Sequence, residues 1–329
     1  MTHWAWIRRR LGRSLRIRLG LLVLGLVVLP AIFAELIAAD APILAVGEQG
    51  TVVLPAIVEP AEHRDWSAEA ITARYADDVA WWPLVRSGPD RISEMGPQAP
   101  MCRAHPLGTD GRGRDLLARL VYGARTAMGL AFLALLVSVV FGVLFGAVAG
   151  QVGGMWDELL TRQVELVETF PCIVVVAIAR AVYPEAPYWS LVLAIAAVRW
   201  AEVARLVRAE VVRLSHADFV AAARALGASR ARILRRHILP HALRPVIVSV
   251  MFGMASVVLL EVAVSFLGLG FEGSWGVMIA EGLAADASLG PTLWAGLALV
   301  LTVGAAYLMA DAVSESVDAR VATTRRVRS

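Results

Sequence analysis

Six ionisable side chains, Glu165, Glu168, Arg180, Arg199, Glu202 and Glu261, fall inside runs that are otherwise apolar. A charge in hydrocarbon is costly unless it is paired or wet, so such residues mark either local ion pairs or a watery pathway. Arg162 with Glu165 and Arg199 with Glu202 stand at i,i+3 spacing and can pair along one helix. Glu165, Arg199 and Glu202 also fall near expected span ends, where long side chains can reach water. Of the remaining three, Glu168 and Glu261 are the better candidates for lining a watery pathway, ahead of Arg180. Catalysis has no comparable set. Ser, His and Asp residues occur, but there is no nucleophile elbow, no HExxH and no paired-Cys site, so neither catalytic residues nor metal ligands are expected. Every basic side chain is Arg, with no Lys, which excludes a GxxxxGK[ST] phosphate loop and lysine Schiff-base chemistry.

The elements that hold these residues are membrane spans. The chain of 329 residues is 58% hydrophobic with mean hydropathy +0.66, and its apolar residues are bunched into long runs. An Arg-rich start, with six Arg from Arg8 to Arg18, precedes an apolar stretch from Leu19 to about Ala38. That stretch reads as a retained first span rather than a signal peptide. Residues 39–120 are polar, hold four prolines between Pro42 and Pro83, and contain no run long enough to span. Five further spans are expected near 126–149, 160–182, 189–210, 244–267 and 291–312. Gly142, Gly146 and Gly150 share one helix face, the spacing that lets two helices approach closely. Six spans put both termini on one side. The arginines agree: six before the first span, nine in 205–244 and four after Ala319 all fall on the face that the positive-inside rule names cytoplasmic. Cys102 and Cys172 are expected to be unpaired thiols.

The most informative stretch is SHADFVAAARALGASRARILRRHILPHALRP, from Ser215 to Pro245. Ser215 with Asp218 predicts a capping box opening a helix, and Gly227 predicts its left-handed end. Ser229 predicts the cap of a second short helix carrying Arg230, Arg232, Arg235 and Arg236, which Pro240 is expected to stop. On physics alone this is a helix–Gly–helix element outside the bilayer. It could equally be an amphipathic pair held to anionic lipid.

The same stretch resembles the cytoplasmic EAA loop of type-I ABC-importer permeases. Ala222 and Ala223 are followed after three residues by Gly227, and Leu239-Pro240 lie at the expected distance. Ala221 stands where that family usually has Glu, and His237 stands in place of Ile, as in the peptide-transporter branch. HPLGTDGRGRDLLARLVYGAR, from His105 to Arg125, resembles that branch's LGTDxxGRD signature through Gly108, Thr109, Asp110, Gly113, Arg114 and Asp115. SFLGLG (265–270) and SWGVMIAEG (274–282) resemble two more of its motifs, and Glu261 matches an acidic position preceding them. PILAVGEQG and WWPLVRSGPDRI in 39–104 resemble the insert of a subgroup associated with microcin and oligopeptide uptake.

The resemblance implies an all-α polytopic membrane protein with six transmembrane helices, the type-I importer permease fold and a polar extracytoplasmic insert between helices 1 and 2. Its parts would be an Arg-rich tail and first helix (1–38), the insert (39–120), a five-helix transmembrane domain (121–316) with the loop 215–240, and a cytoplasmic tail (317–329). Asp218, Ala221, Ala222, Ala223, Gly227, His237, Leu239 and Pro240 would form the loop gripped by an ATPase. The implied partners are a second homologous permease, two ATPase subunits, an extracytoplasmic solute-binding protein and membrane lipid, with no nucleic acid. ATP and magnesium would be used by the ATPases, with no cofactor on this chain. The implied activity is peptide import across the inner membrane. A self-sufficient secondary transporter or channel is the alternative, although no inverted repeat or broken-helix pair of that kind stands out.

Overall fold

The computed structural model describes residues 14–47, 50–57, 68–183, 187–284 and 288–326. The arginines from Arg8 to Arg13, parts of the polar region and the last three residues lie outside the described residues, as do the side chains beyond Glu315. In chain order the elements are α1 (Leu15–Ile32), α2 (Ala34–Ile37), β1 (Leu44–Gly47), β2 (Gly50–Val53), α3 (Ala68–Arg74), β3 (Val79–Trp81), α4 (Leu116–Val152), α5 (Gly154–Thr169), α6 (Cys172–Val182) and α7 (Tyr188–Ser215). After these come α8 (Asp218–Ala225), α9 (Arg230–Ile233), a π-helical turn (Leu234–Ile238), α10 (Leu239–Phe266), α11 (Trp275–Gly282) and α12 (Gly290–Arg326).

Among the described residues four helical stretches are long and apolar enough to cross a membrane: Leu15–Ile32, Leu116–Val152, Arg230–Phe266 and Gly290–Glu315. The expected spans at 126–149 and 291–312 lie within these longer helices, and the one at 244–267 does so up to Phe266. The span expected at 189–210 is α7, 28 residues long, whose apolar character is diluted by Arg199, Glu202, Arg205 and Arg208. The span expected at 160–182 is corrected. Pro171 has no N–H to carry the helix on, so the chain breaks there into the polar α5 and the 11-residue apolar α6. At 1.5 Å per residue α6 alone covers only about half of a ~30 Å hydrocarbon layer.

The residues divide into two compact units. One holds the chain up to Leu22, Gly129–Leu260 and the chain from Val303. Its centre is the glycine face of α4 against α7: a Cβ at Gly142 would stand 2.5 Å from Val203 Cβ, and one at Gly150 3.0 Å from the Arg208 carbonyl. At Gly146 a Cβ would run into the Ala204 carbonyl. Larger residues would push the helices apart, as the spacing predicts. Leu160 and Val164 of α5 pack on Ala201 and Ala204 of α7, and Asp157 of α5 pairs with Arg208 of α7.

The other unit holds Val23–Met128 and Glu261–Thr302. Its polar part adds to the helical protein a three-stranded antiparallel sheet, order β2-β1-β3, in which Leu44 faces Val53 on one side and Trp81 on the other. Ala45 beneath the sheet packs with Ile71 and Tyr75. The helix after this region begins at Leu116, a few residues earlier than the expected boundary at 121. Cys102 and Cys172 are free thiols, as expected.

Candidate functional site

The element between α7 and α10 is a helix, a glycine turn and a second helix, all within one unit. The expected capping box is absent. α8 starts at Asp218 behind Ala217 with no side-chain cap, while the Ser215 hydroxyl donates back to the Val212 carbonyl at 2.8 Å and belongs to the end of α7. The end of α8 follows the expected form. Gly227 has φ +80°, Gly227 N–H donates to the Arg224 carbonyl at 3.0 Å, and Ala228 N–H donates to the Ala223 carbonyl at 3.1 Å. Those two bonds are the Schellman pattern, and the left-handed residue it needs is the glycine. Ser229 caps α9 by accepting from Arg232 N–H at 3.4 Å. Pro240 does not stop the helix. It cannot donate to the carbonyl four residues back, and the coil widens through the π turn 234–238 before it and continues as α10.

Burial divides this element into two faces. Inward, Val220, Ile233 and Ile238 join one apolar cluster with Ala147 of α4, Val203, Val207, Val211 and Leu214 of α7, and Val246 of α10. Gln151 at the end of α4 donates to the Arg230 carbonyl at 2.8 Å. Ala223 and Leu239 pack against that cluster, and His237 is half-buried. Outward, Asp218 lies near Phe219, Ala221, Ala222, Ala225 and Leu226, all exposed; Leu226 is 89% exposed. Arg224, Arg230, Arg232, Arg235 and Arg236 are exposed as well. Beside Gly227 a Cβ would meet nothing, so the glycine is needed for its backbone conformation and not for space.

The two pathway candidates lie in different settings. Glu168 is on the exposed side of α5 and pairs with Arg205 of α7 at 3.1 Å. Glu261, in the other unit, is fully buried. Glu261 Oε1 accepts from the Ser265 hydroxyl at 2.9 Å, while Oε2 has no hydrogen-bond partner among the described residues. Arg199 pairs with Glu202 at 3.1 Å as the spacing predicts, and Glu202 also accepts from Ser249 at 2.6 Å. Arg162 pairs with Glu158 at 3.7 Å rather than with Glu165. Arg180 is buried on α6.

The signature loop is a buried ionic knot. Asp110 accepts from the backbone N–H of Arg112 at 2.8 Å and of Arg114 at 2.9 Å, from Arg114 Nε at 2.8 Å and from Arg119 Nη1 at 2.5 Å. Burial pushes its carboxyl up, but the Arg114 backbone N–H and the Arg114 and Arg119 charges more than offset this and hold it below its ordinary value. Glu281 of α11 receives Arg114 at 2.7 Å and Arg119 at 2.5 Å. Asp115 opens α4 by accepting from Ala118 N–H at 2.7 Å, and it takes His105 Nδ1 at 2.8 Å. Thr109 links Ala99 N–H (2.7 Å) to the Gly96 carbonyl (3.0 Å). Gly108 and Gly113 have φ +81° and +86° and lie against the Ala99 and Gly96 backbones. Trp275 of α11 donates to the Leu120 carbonyl at 2.9 Å. His105, Arg119, Trp275 and Glu281 lie within stretches that stand out in the sequence, but only the fold brings them to this knot. Among the described residues no group of acidic, His and Cys side chains could hold a metal ion.

The family model described as "Binding-protein-dependent transport system inner membrane component" matches residues 142–323. The chain is 32% identical over 228 residues to a putative peptide transport system permease protein of Brucella suis, covering 66% of this chain and 74% of that one. It is 34% identical over 247 residues to a putative peptide permease protein of the same organism, covering 73% and 80%. To a dipeptide transport system permease protein of Alkalihalophilus pseudofirmus it is 33% identical over 232 residues, covering 69% and 74%.

Proposed function

The chain belongs to the family of inner-membrane components of binding-protein-dependent transport systems, and from that premise we propose that it is the peptide-translocating permease subunit of an ATP-driven importer. The observation that carries the reading is the two-faced element Asp218–Pro240. Its inner side chains are fused into the apolar cluster of α4, α7 and α10, while its outer face presents alanines and one exposed leucine. Small side chains let a partner's groove close tightly over the helix, and Leu226 supplies an apolar knob to fill it. A push on that face reaches three membrane helices through close-packed contacts. The partners are ATPase subunits that use ATP and magnesium, a second permease of the same kind and a solute-binding protein outside. This chain does no chemistry of its own.

The topology that fits has six crossings, made by α1, α4, the broken pair α5–α6, α7, α10 and α12. Both termini and the 215–240 loop are then cytoplasmic, on the arginine-rich face. Residues 39–120 lie outside. Glu168 and Glu261 are the pathway candidates of this reading. A free secondary transporter has no use for an outward alanine face.

Gly227→Val tests the reading. A β-branched residue at φ +80° breaks the turn between α8 and α9 without touching a neighbour. Peptide uptake by the assembled importer is expected to be lost while insertion and assembly persist. Uptake at the wild-type rate contradicts the assignment.

A further inference from the structure

A cavity of about 440 Å³ lies on the inner side of the α8–α9 element. Val152 at the end of α4, Val211 of α7, Val220 of α8 and Ile233 of α9 give it apolar walls, and the only charged residues in its lining are Arg224 and Arg230. Among the described residues neither arginine has an ion-pair partner, and Glu210, the last carboxylate of α7, is taken by Arg213 at 2.6 Å. The backbones of both are held in place. Gln151 donates to the Arg230 carbonyl at 2.8 Å, and Gly227 N–H donates to the Arg224 carbonyl at 3.0 Å.

Two like charges lining one cavity repel, the more so beside apolar walls that weaken screening by water, and an anion between them removes the repulsion. A guanidinium fork engages two oxygens at a time. One carboxylate fills one fork, whereas a phosphate group has oxygens for two. The cavity is in the size range of small-molecule sites and the rest of its wall is mostly apolar, so a phosphate carrying an organic group fits it better than the bare ion. In the six-crossing topology the ends of α4 and α7 reach the cytoplasmic surface, where such groups occur both as lipid headgroups and as soluble esters.

We propose that this cavity is a phosphate-ester site whose ligand bridges Arg224 of α8 and Arg230 of α9 across the Gly227 turn. The bound ligand stiffens that turn, so its occupancy tunes how well the element passes on a push from the ATPase. The inference rests on the reading of 215–240 as a cytoplasmic coupling element.

The test uses the complete importer in phosphatidylcholine nanodiscs and reads hydrogen exchange of the amides from Arg224 to Arg230. Phosphatidylglycerol is added to the bilayer in one arm and glycerol 3-phosphate to the solution in the other. At least one probe is expected to slow exchange there saturably, and the arm that responds identifies the source. In Arg224→Gln, Arg230→Gln the protection is expected to need about tenfold more probe or to vanish. Arg232→Gln, Arg235→Gln removes the same charge outside the cavity and is expected to keep it. All four side chains are exposed, and assembly is checked by co-purification of the other subunits. No response to either probe overturns the proposal. Equal loss in both variants overturns it too, because general surface charge then explains the effect. A wild-type chain that purifies without any ATPase subunit removes the importer reading and the coupling role with it, while the protection still reports on the site.

Discussion

The loop 215–240 and the knot around Asp110 use arginine in opposite ways. In the knot, Arg114 and Arg119 are buried and saturated by Asp110 and Glu281, so a loop and a helix 167 residues apart in sequence are fixed in one geometry. In the loop, five arginines are exposed, and the holding is done underneath by Val220, Ile233 and Ile238. Buried, fully paired charges make one arrangement much better than its neighbours. A smooth apolar face leaves the choice of partner to the surface and the fixing to the core. The first region is fixed from within, and the second leaves an exposed face for the proposed ATPase contact.

Substitutions can break or sharpen that contrast. The largest expected effect is on the outer face: Ala222→Trp puts an indole at the proposed ATPase contact, and uptake should fall roughly a hundredfold or more, as expected when a central contact is blocked. Because Ala222 is exposed, the melting temperature of the purified chain should stay unchanged. Next is Glu281→Ala, which leaves two buried guanidinium groups under-paired and should cost about 3–5 kcal/mol, read as a lower unfolding midpoint in detergent. Ile233→Ala opens the inner face and should cost about 2–5 kcal/mol by lost burial and a cavity. It should do so without removing ATPase binding, the reverse of Ala222→Trp. The smallest effect is acid sensitivity. Asp110 is held below its ordinary value when folded, so its contribution is complete at neutral pH and is lost as pH falls from about 4 through the folded value. Asp110→Asn should flatten the acid limb of a stability–pH curve.

Short-range rules made much of the loop legible. Gly227 as a left-handed helix end, Ser229 as a cap and the Gly142–Gly146–Gly150 face each depend on neighbours a turn or two away. The readings that failed depended on context. Ser215 matched a capping pattern but was already engaged at the end of α7. Pro240 carried a stop signal that the π turn absorbed, whereas Pro171 did break a run that looked continuous. The Glu281 contacts to Arg114 and Arg119, the Arg205 partner of Glu168 and the burial of Glu261 join residues far apart in sequence, where no periodicity points to them. The sheet was hidden because its strands are only three or four residues long.

A photo-crosslinking amino acid in place of Leu226 tests the central claim most directly. In membranes containing the whole transport system, illumination is predicted to join this chain to an ATPase subunit, with the yield changing when ATP is added. Crosslinks only to lipid, or labelling of that position from the outer side of the membrane, would contradict the account.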